Sequence, residues 1–165
     1  MTKRFWKVLV IVDERIKEHL KHLNKYYLLL IDIRKRDPEE FENDPLIQGS
    51  SERFLQLAIE SCLNIGNRLI SIHQFEKPTE TPETYADIFV QMKNLGVIDG
   101  AFCERLIKMA KFRNRLVHLY WEIERQMVYR IIQDNLDDFK LFQEKVVAFL
   151  KQTGKTDQME GQNSR

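Results

Sequence analysis

Apolar residues recur every three or four positions along most of the chain, the spacing typical of amphipathic helices. The first such segment starts near residues 8–13 and runs to about Arg36, with its apolar stripe at Val12, Ile16, Leu20, Leu23, Tyr27, Leu30 and Ile31. Pro38 is predicted to close it, because the residue before a proline avoids the helical conformation. The charged stretch 38–49 carries two prolines and is predicted to be a loop with at most one helical turn.

The middle of the chain predicts three further helices. The second is predicted to begin at Ser50 or Ser51, because serine hydroxyls cap helix N-termini. A loop over 77–84 separates it from a short third helix. Gly96 is suited to end that helix, and Asp99 is suited to cap the fourth.

The C-terminal part predicts one more helix and a tail. The fifth helix is predicted to begin near Glu124, and its apolar seam is Ile132, Phe139, Phe142, Val146 and Phe149. Residues 152–165 are polar and without periodicity, so they are predicted to be a disordered tail. The sequence shows neither a strand pattern nor an internal repeat. The predicted fold is therefore all-α, with one helical domain over residues 1–151.

The composition fits a single soluble domain and excludes several classes of protein. Hydrophobic residues make up 43% of the chain and charged residues 31%, and the formal net charge is +1, so attraction for nucleic acid must come from a local patch. The early apolar run 8–12 is far shorter than the roughly 20 residues that span a bilayer. Cys62 and Cys103 are predicted to be small core residues rather than a disulfide framework. We expect a cytoplasmic protein without membrane contact, cofactor or metal.

The segment RNRLVHLY, from Arg113 to Tyr120, carries the candidate chemistry. His118 is suited to act as a base for a ribose 2′-hydroxyl, because the ordinary histidine pKa of about 6.5 allows proton transfer near neutral pH. Arg113 supplies a planar, permanently charged group for phosphate oxygens. Asn114 can add a hydrogen bond to the phosphate or to a partner motif. These residue types suit RNA cleavage without a metal ion.

The surroundings of this segment are more basic than the chain as a whole. Residues 104–130 contain three glutamates and a larger number of basic residues, namely Arg105, Lys108, Lys111, Arg113, Arg115, Arg125 and Arg130. The local net charge is +4. Such a field attracts a phosphodiester backbone.

Helical geometry separates the two candidate catalytic residues. Residues seven apart on one helix point in nearly the same direction, so Arg113 and Tyr120 share an otherwise apolar stripe. A charged arginine there must be paired, or must line a cleft or an interface. His118 is turned about 140° from Arg113. The two converge only if the helix ends near the motif or if two copies of the motif meet across a dimer.

The motif and its context resemble the HepT-type toxins of the HEPN superfamily. An Arg, four residues, a His, one residue and a Tyr resemble that family's signature. The second helix, with Arg53, Glu60 and Asn67, resembles its second helix, and the similarity covers about residues 8–151. The resemblance implies a five-helix bundle with an antiparallel four-helix core. It also implies an RNA substrate and a homodimer whose two motifs face each other across a symmetric cleft.

The resemblance further implies a regulatory partner. In that family, a minimal nucleotidyltransferase antitoxin adds AMP to the tyrosine of the motif, here Tyr120, and silences the toxin. An AMP group beside Arg113 would add a negative phosphodiester and a bulky nucleoside, and so would plug the cleft. The predicted protein is thus a toxin with RNase activity. Its catalytic residues are Arg113 and His118, and its supporting residues are Asn114 and Tyr120.

Two other functions fit the same residues. The chain could be a non-catalytic HEPN module that docks a nucleotidyltransferase and serves as its modification substrate. It could also be a structural bundle in which Arg113, His118 and Tyr120 belong to a buried polar network. In either case Glu60 could pair with Arg113 or Arg115, or face water.

Overall fold

A computed structural model gives the chain as a bundle of α-helices and describes residues 13–74, 81–118 and 125–162, with side chains to residue 154. Seven helices lie in these ranges: α1 (Glu14–Arg34), α2 (Pro38–Asn43), α3 (Pro45–His73), α4 (Tyr85–Leu95), α5 (Gly100–His118), α6 (Arg125–Asp134) and α7 (Asp137–Gln162). The described ranges contain no strand, so the predicted all-α class is confirmed. Five helices were predicted, and the antiparallel arrangement of the core stays a prediction.

Helix α3 is the centre of the bundle. It packs against each of the other six described helices. Helices α4 and α5 also pack against each other, while α1 contacts α6 and α7. The core lies between these two groups, and its largest fully buried side chains include Phe89, Phe102, Phe139 and Phe142. The motif helix α5 is therefore held in place by α3 and α4.

The start of α3 differs from the prediction. The helix begins at Pro45, and the Asp44 carboxylate caps it by accepting the N–H of Leu46 at 2.8 Å. The predicted caps Ser50 and Ser51 lie inside the helix, where Ser51 is fully buried and its hydroxyl donates to the carbonyl one turn earlier at 2.6 Å. Proline is favourable at the first helical position, because its missing N–H would have no partner there.

The region between α1 and α3 is more helical than predicted. Residues 38–43 form α2, whose first turn is capped by Asp37 through the N–H of Glu39 at 3.0 Å. Phe41 is 5% exposed and packs against Tyr129 of α6, with 5.2 Å between the ring centroids. The short helix forms because a cap, an N-terminal proline and one buried aromatic residue act together.

The predicted fifth helix is divided in two. Helix α6 ends at Asp134 and α7 begins at Asp137, and the N–H of Phe139 donates to the carbonyl of Leu136 at 3.1 Å in a tight turn between them. Leu136 and Phe139 are both buried. Ile132, Leu136 and Phe139 keep the spacing of a single helix face across the turn, so the hydrophobic pattern alone does not reveal the break.

Helix α7 continues to Gln162, whereas the sequence predicted a disordered tail from residue 152. The Thr153 hydroxyl donates to the carbonyls of Phe149 and Leu150, each at 3.2 Å, so this polar side chain is bonded to the preceding turn. Such bonding within a turn is compatible with a helix. The domain boundary at residue 151 stays a prediction.

Other local predictions are confirmed. Gly96 ends α4 with a φ of 85°, and the Asp99 carboxylate accepts the N–H of Phe102 at 2.8 Å at the start of α5. Cys62 and Cys103 are buried free thiols, and burial raises the pKa of Cys62 well above its ordinary value. None of the helices in the described part of the chain has the length and apolar character needed to cross a membrane.

Gly66 allows α4 to approach α3 closely. A Cβ atom at Gly66 would lie 2.6 Å from Cγ2 of Ile88 and 2.9 Å from Sδ of Met92. Ile88 is β-branched, so its side chain cannot easily rotate out of the way. The position of α4 thus depends on a glycine inside α3.

We expect Gly66→Ala to lower the free energy of unfolding by about 1–3 kcal/mol, the usual cost of overpacking a close contact. The matched control is Gly49→Ala in the same helix, because a Cβ there would meet nothing within 4 Å. That control is expected to stabilise the protein by up to about 1 kcal/mol, since alanine favours a helix more than glycine does. Denaturant unfolding measures both changes, and equal shifts for the two variants would contradict the packing account.

Candidate active site

Arg113 lies where α3, α4 and α5 meet. Its Nη2 atom donates to Oε1 of Glu60 at 2.7 Å, and its guanidinium carbon lies 4.9 Å from the centroid of the Tyr85 ring. The side chains of Arg113 and Glu60 are 14% and 30% exposed. The arginine on the apolar stripe is therefore paired with a carboxylate, which is one of the arrangements predicted for it.

Glu60 is held in place by a second hydrogen bond. Gln56 donates to the same oxygen of Glu60 at 3.0 Å, and Arg53 donates to the amide oxygen of Gln56 at 3.2 Å. Burial raises the pKa of Glu60, but the hydrogen bonds from Gln56 and Arg113, together with the positive charges of Arg113 and Arg53, hold its pKa below the ordinary value. Glu60 is thus a carboxylate at neutral pH, and it balances the charge of Arg113.

A buried N–H donor of Arg113 has no acceptor in the described part of the chain. Nε of Arg113 is buried and has no hydrogen-bond acceptor among the described residues. A buried donor without a partner costs about 1–3 kcal/mol. Glu60 thus holds one end of the guanidinium group and Tyr85 covers one face, while the described residues leave the Nε donor unused.

His118 and Asn114 are exposed and lie apart from this cluster. Helix α5 is continuous from Gly100 to His118, so the side chain of His118 is turned about 140° from that of Arg113. Neither His118 nor Asn114 shares a hydrogen bond with Arg113 within the described part of the chain. One copy of α5 therefore does not bring the candidate base and the candidate phosphate ligand together. Tyr120 lies outside the described residues.

Carboxylates from other helices pair with two of the basic side chains around the motif. Nε of Arg105 lies 3.1 Å from the Asp138 carboxylate of α7, and Arg113 is paired with Glu60 of α3. Neither carboxylate lies within residues 104–130, over which the sequence shows a net charge of +4. Lys108 and Lys111 are exposed. These two carboxylates therefore neutralise part of the positive charge that the local sequence indicates.

Tyr85 belongs to the cluster, although it was not predicted. It is the first residue of α4, and Thr84 and Asp87 fix its backbone by reciprocal capping. The Thr84 hydroxyl accepts the N–H of Asp87 at 3.2 Å, and the Asp87 carboxylate accepts the N–H of Thr84 at 2.8 Å. The spacing of Thr84 and Asp87 is a sequence signal for the start of a helix. No sequence signal joins Tyr85 to Arg113.

The described ranges contain no group of three or more His, Cys, Asp or Glu side chains placed to hold a metal ion. The chemistry available to the described part of the motif is that of the largely buried Arg113, the exposed His118 and the polar groups around the arginine.

Comparison with solved structures defines the class of fold. One chain of a toxin–antitoxin crystal structure with AMP-PNP matches with a TM-score of 0.74 and 24% identity, covering 82% of this chain and 99% of that one. One chain of the structure of the tri-AMPylated Shewanella oneidensis HEPN toxin in complex with the MNT antitoxin matches with a TM-score of 0.62 and 25% identity, covering 90% of this chain and 99% of that one. The fold is that of the HEPN toxins.

Comparison of sequences identifies the family within that class. The mRNA nuclease HepT of Shewanella oneidensis is 27% identical over 133 residues, which cover 81% of this chain and 91% of that protein. The family model for ribonuclease HepT-like proteins matches residues 14–146. The chain belongs to the HepT-like family, so the resemblance noted in its sequence is confirmed.

Proposed function

We propose that this chain is the toxin of a HEPN–nucleotidyltransferase pair and that it cleaves RNA without a metal ion. The observation that carries the proposal is the fixed guanidinium group of Arg113, which Glu60 holds at one end and Tyr85 covers on one face. The similarity to an mRNA nuclease and to a toxin bound to its antitoxin supports both the activity and the partner. Hydrogen-bond donors held in a fixed position toward developing negative charge stabilise a phosphoryl transition state.

In the proposed reaction, His118 accepts the proton of a ribose 2′-hydroxyl. The resulting oxygen attacks the adjacent phosphorus and forms a 2′,3′-cyclic phosphate. The bond from phosphorus to the 5′-oxygen of the next nucleotide breaks, and that oxygen takes up a proton from solvent. Arg113 stabilises the extra negative charge that forms on the phosphate oxygens. Asn114, which is exposed one position after Arg113, adds a hydrogen bond to the phosphate.

The proposed site is completed by a second copy of the chain. The angle of about 140° between Arg113 and His118 on a regular helix keeps the two apart in one protomer. A two-fold axis beside α5 would bring the same surface of two protomers together. Arg113 of one protomer would then face His118 of its partner, and activity would require a homodimer.

Cleavage of RNA in the presence of EDTA tests the proposed activity. The chain is purified free of any nucleotidyltransferase and incubated with RNA, and a preparation of His118→Ala made in parallel reports contaminating nucleases. We expect the rate of cleavage to stay the same when EDTA is added, since no step of the proposed reaction uses a metal. Cleavage that stops with EDTA and returns with Mg²⁺ would contradict the proposal.

Addition of AMP to Tyr120 is the proposed means of control. When the chain is coexpressed with a minimal nucleotidyltransferase, its intact mass is expected to rise by one or more AMP units, and its RNase activity is expected to fall. The matched variant Tyr120→Phe is expected to show no added mass, because it lacks the accepting hydroxyl. An unchanged mass in the parent chain, or added mass in the variant, would refute this site. AMP addition to a chain that never cleaves RNA would instead favour the non-catalytic binding module.

A further inference from the structure

Tyr85 is a large aromatic side chain that remains exposed beside the motif arginine. The residue is 40% exposed, although its ring lies 4.9 Å from the guanidinium carbon of Arg113. Arg113 itself is 14% exposed. The contact with Arg113 therefore covers the arginine and leaves much of the tyrosine in contact with solvent.

The position of Tyr85 is set by the fold rather than by a loose loop. Reciprocal capping between Thr84 and Asp87 fixes the first turn of α4. One turn further on, the buried side chain of Ile88 packs against Gly66 of α3. An aromatic ring mounted at such a point is presented in a nearly constant place, which favours binding because little freedom is lost.

The neighbouring groups suit a nucleotide. Exposed aromatic rings bind unpaired bases by stacking, and arginine binds phosphate oxygens. The base and the phosphate of one nucleotide are separated by a single ribose. A phosphate held by Arg113 would therefore place an adjoining base within reach of Tyr85. In a duplex the bases are already stacked and paired, so they are not available to this ring.

We propose that Tyr85 forms a base-stacking subsite beside Arg113 and that the substrate is therefore single-stranded RNA. This inference rests on the proposed function, in which Arg113 binds the phosphate of an RNA chain. The subsite accepts the unpaired base next to the phosphate that is cleaved. Stacking makes no demand on the identity of the base, so the subsite selects unpaired RNA rather than a particular sequence.

A purely structural role for Tyr85 would be to cover the guanidinium group of Arg113. The two roles differ in their response to leucine and phenylalanine. Tyr85→Leu keeps an apolar cover over the arginine but cannot stack on a base. Tyr85→Phe keeps the aromatic ring and loses only the hydroxyl. Stacking therefore predicts a large difference between these two variants.

Equilibrium binding of labelled RNA separates the two roles. All proteins carry His118→Ala so that the RNA stays intact, and the probe is a single-stranded oligomer with the same RNA as a duplex for comparison. We expect Tyr85→Leu to weaken binding of the single strand about tenfold, within the range that loss of one base–aromatic stack produces. Tyr85→Phe is expected to lose much less. The control Tyr26→Leu removes a partly buried tyrosine of α1 that stacks on Phe54, and it is expected to leave binding unchanged.

A fluorescent base gives a second reading that is independent of affinity. An oligomer containing 2-aminopurine is quenched when that base stacks on a ring. Quenching is expected in the parent and in Tyr85→Phe and is expected to be lost in Tyr85→Leu. If Tyr85→Leu does not fold, as thermal unfolding would show, Tyr85→Met serves as the variant without a ring, and the same losses of binding and quenching are expected.

Binding and cleavage measurements together separate base stacking by Tyr85 from RNA cleavage by the chain. A folded Tyr85→Leu that binds and quenches like the parent would overturn the subsite, as would equal binding of single-stranded and duplex RNA. If RNA cleavage is observed in that case, the proposed function survives without the subsite. If the chain never cleaves RNA but Tyr85→Leu still loses binding of the single strand, the subsite stands as a binding site and the proposed catalysis fails.

Discussion

Replacing His118 with alanine will lower the rate of RNA cleavage by about 10²–10⁴-fold, the contribution typical of a positioned general base. The free energy of unfolding is expected to change by no more than about 0.5 kcal/mol, because His118 is exposed at the end of α5. The loss of activity would therefore come from the chemistry rather than from the fold. Initial rates on a fixed RNA substrate, together with denaturant unfolding, measure the two effects separately.

A second exposed histidine provides the control. His22 lies on α1, a different helix, and it is also exposed. His22→Ala is expected to cleave RNA at the parent's rate, so a general effect of removing a histidine would be recognised. Equal rates for His118→Ala and the parent would show that His118 is not the base. A matching fall in both stability and rate would assign a structural role to His118.

Helical periodicity predicted most of the fold because burial of one helix face is a local property. The buried cysteines, Gly96 and Asp99 all lie where the pattern placed them. The start of α3 was wrong because several residues can chemically serve as a cap. Asp44 acts as the cap, while Ser51 is buried inside the helix. That choice depends on packing against other helices, which a local pattern does not contain.

The candidate site also depends on contacts between helices that a local sequence pattern does not contain. The sequence indicated that Arg113 is paired or lines a cleft or an interface, because a permanent charge on an apolar stripe is costly. It left Glu60 as one possible partner, and the structure joins the two residues, which are 53 positions apart. The place of Tyr85 and the neutralising effect of Asp138 come from helices distant in sequence. Contacts of this kind follow from the packing of the bundle and not from spacing along one helix.

Two inactive variants are expected to restore activity when they form mixed dimers. Arg113→Gln removes the phosphate ligand and keeps a polar side chain on the side of Glu60, and thermal unfolding checks that the variant folds. His118→Ala removes the base. In a mixed dimer the first variant supplies an intact His118 and the second supplies an intact Arg113. If each site takes its arginine from one protomer and its histidine from the other, one complete site forms across the two-fold axis.

The size of the expected recovery follows from the symmetry. Random mixing makes half of the dimers mixed, and each of these holds one complete site in place of two, so about one quarter of the parent's activity is expected. Each variant mixed only with itself serves as the control, and so does a chain that carries both substitutions. Mass spectrometry of the intact dimers confirms that mixed species have formed.

The RNase activity of these mixed dimers is the most direct test of the claim that Arg113 and His118 form one site shared by two protomers. About one quarter of the parent's rate is expected, since half of the dimers would each hold one complete site. Either variant alone is expected to keep no more than about one hundredth of the parent's rate. Mixed dimers that are present in the expected amount and cleave RNA no faster than the separate variants would show that Arg113 and His118 do not form a shared site.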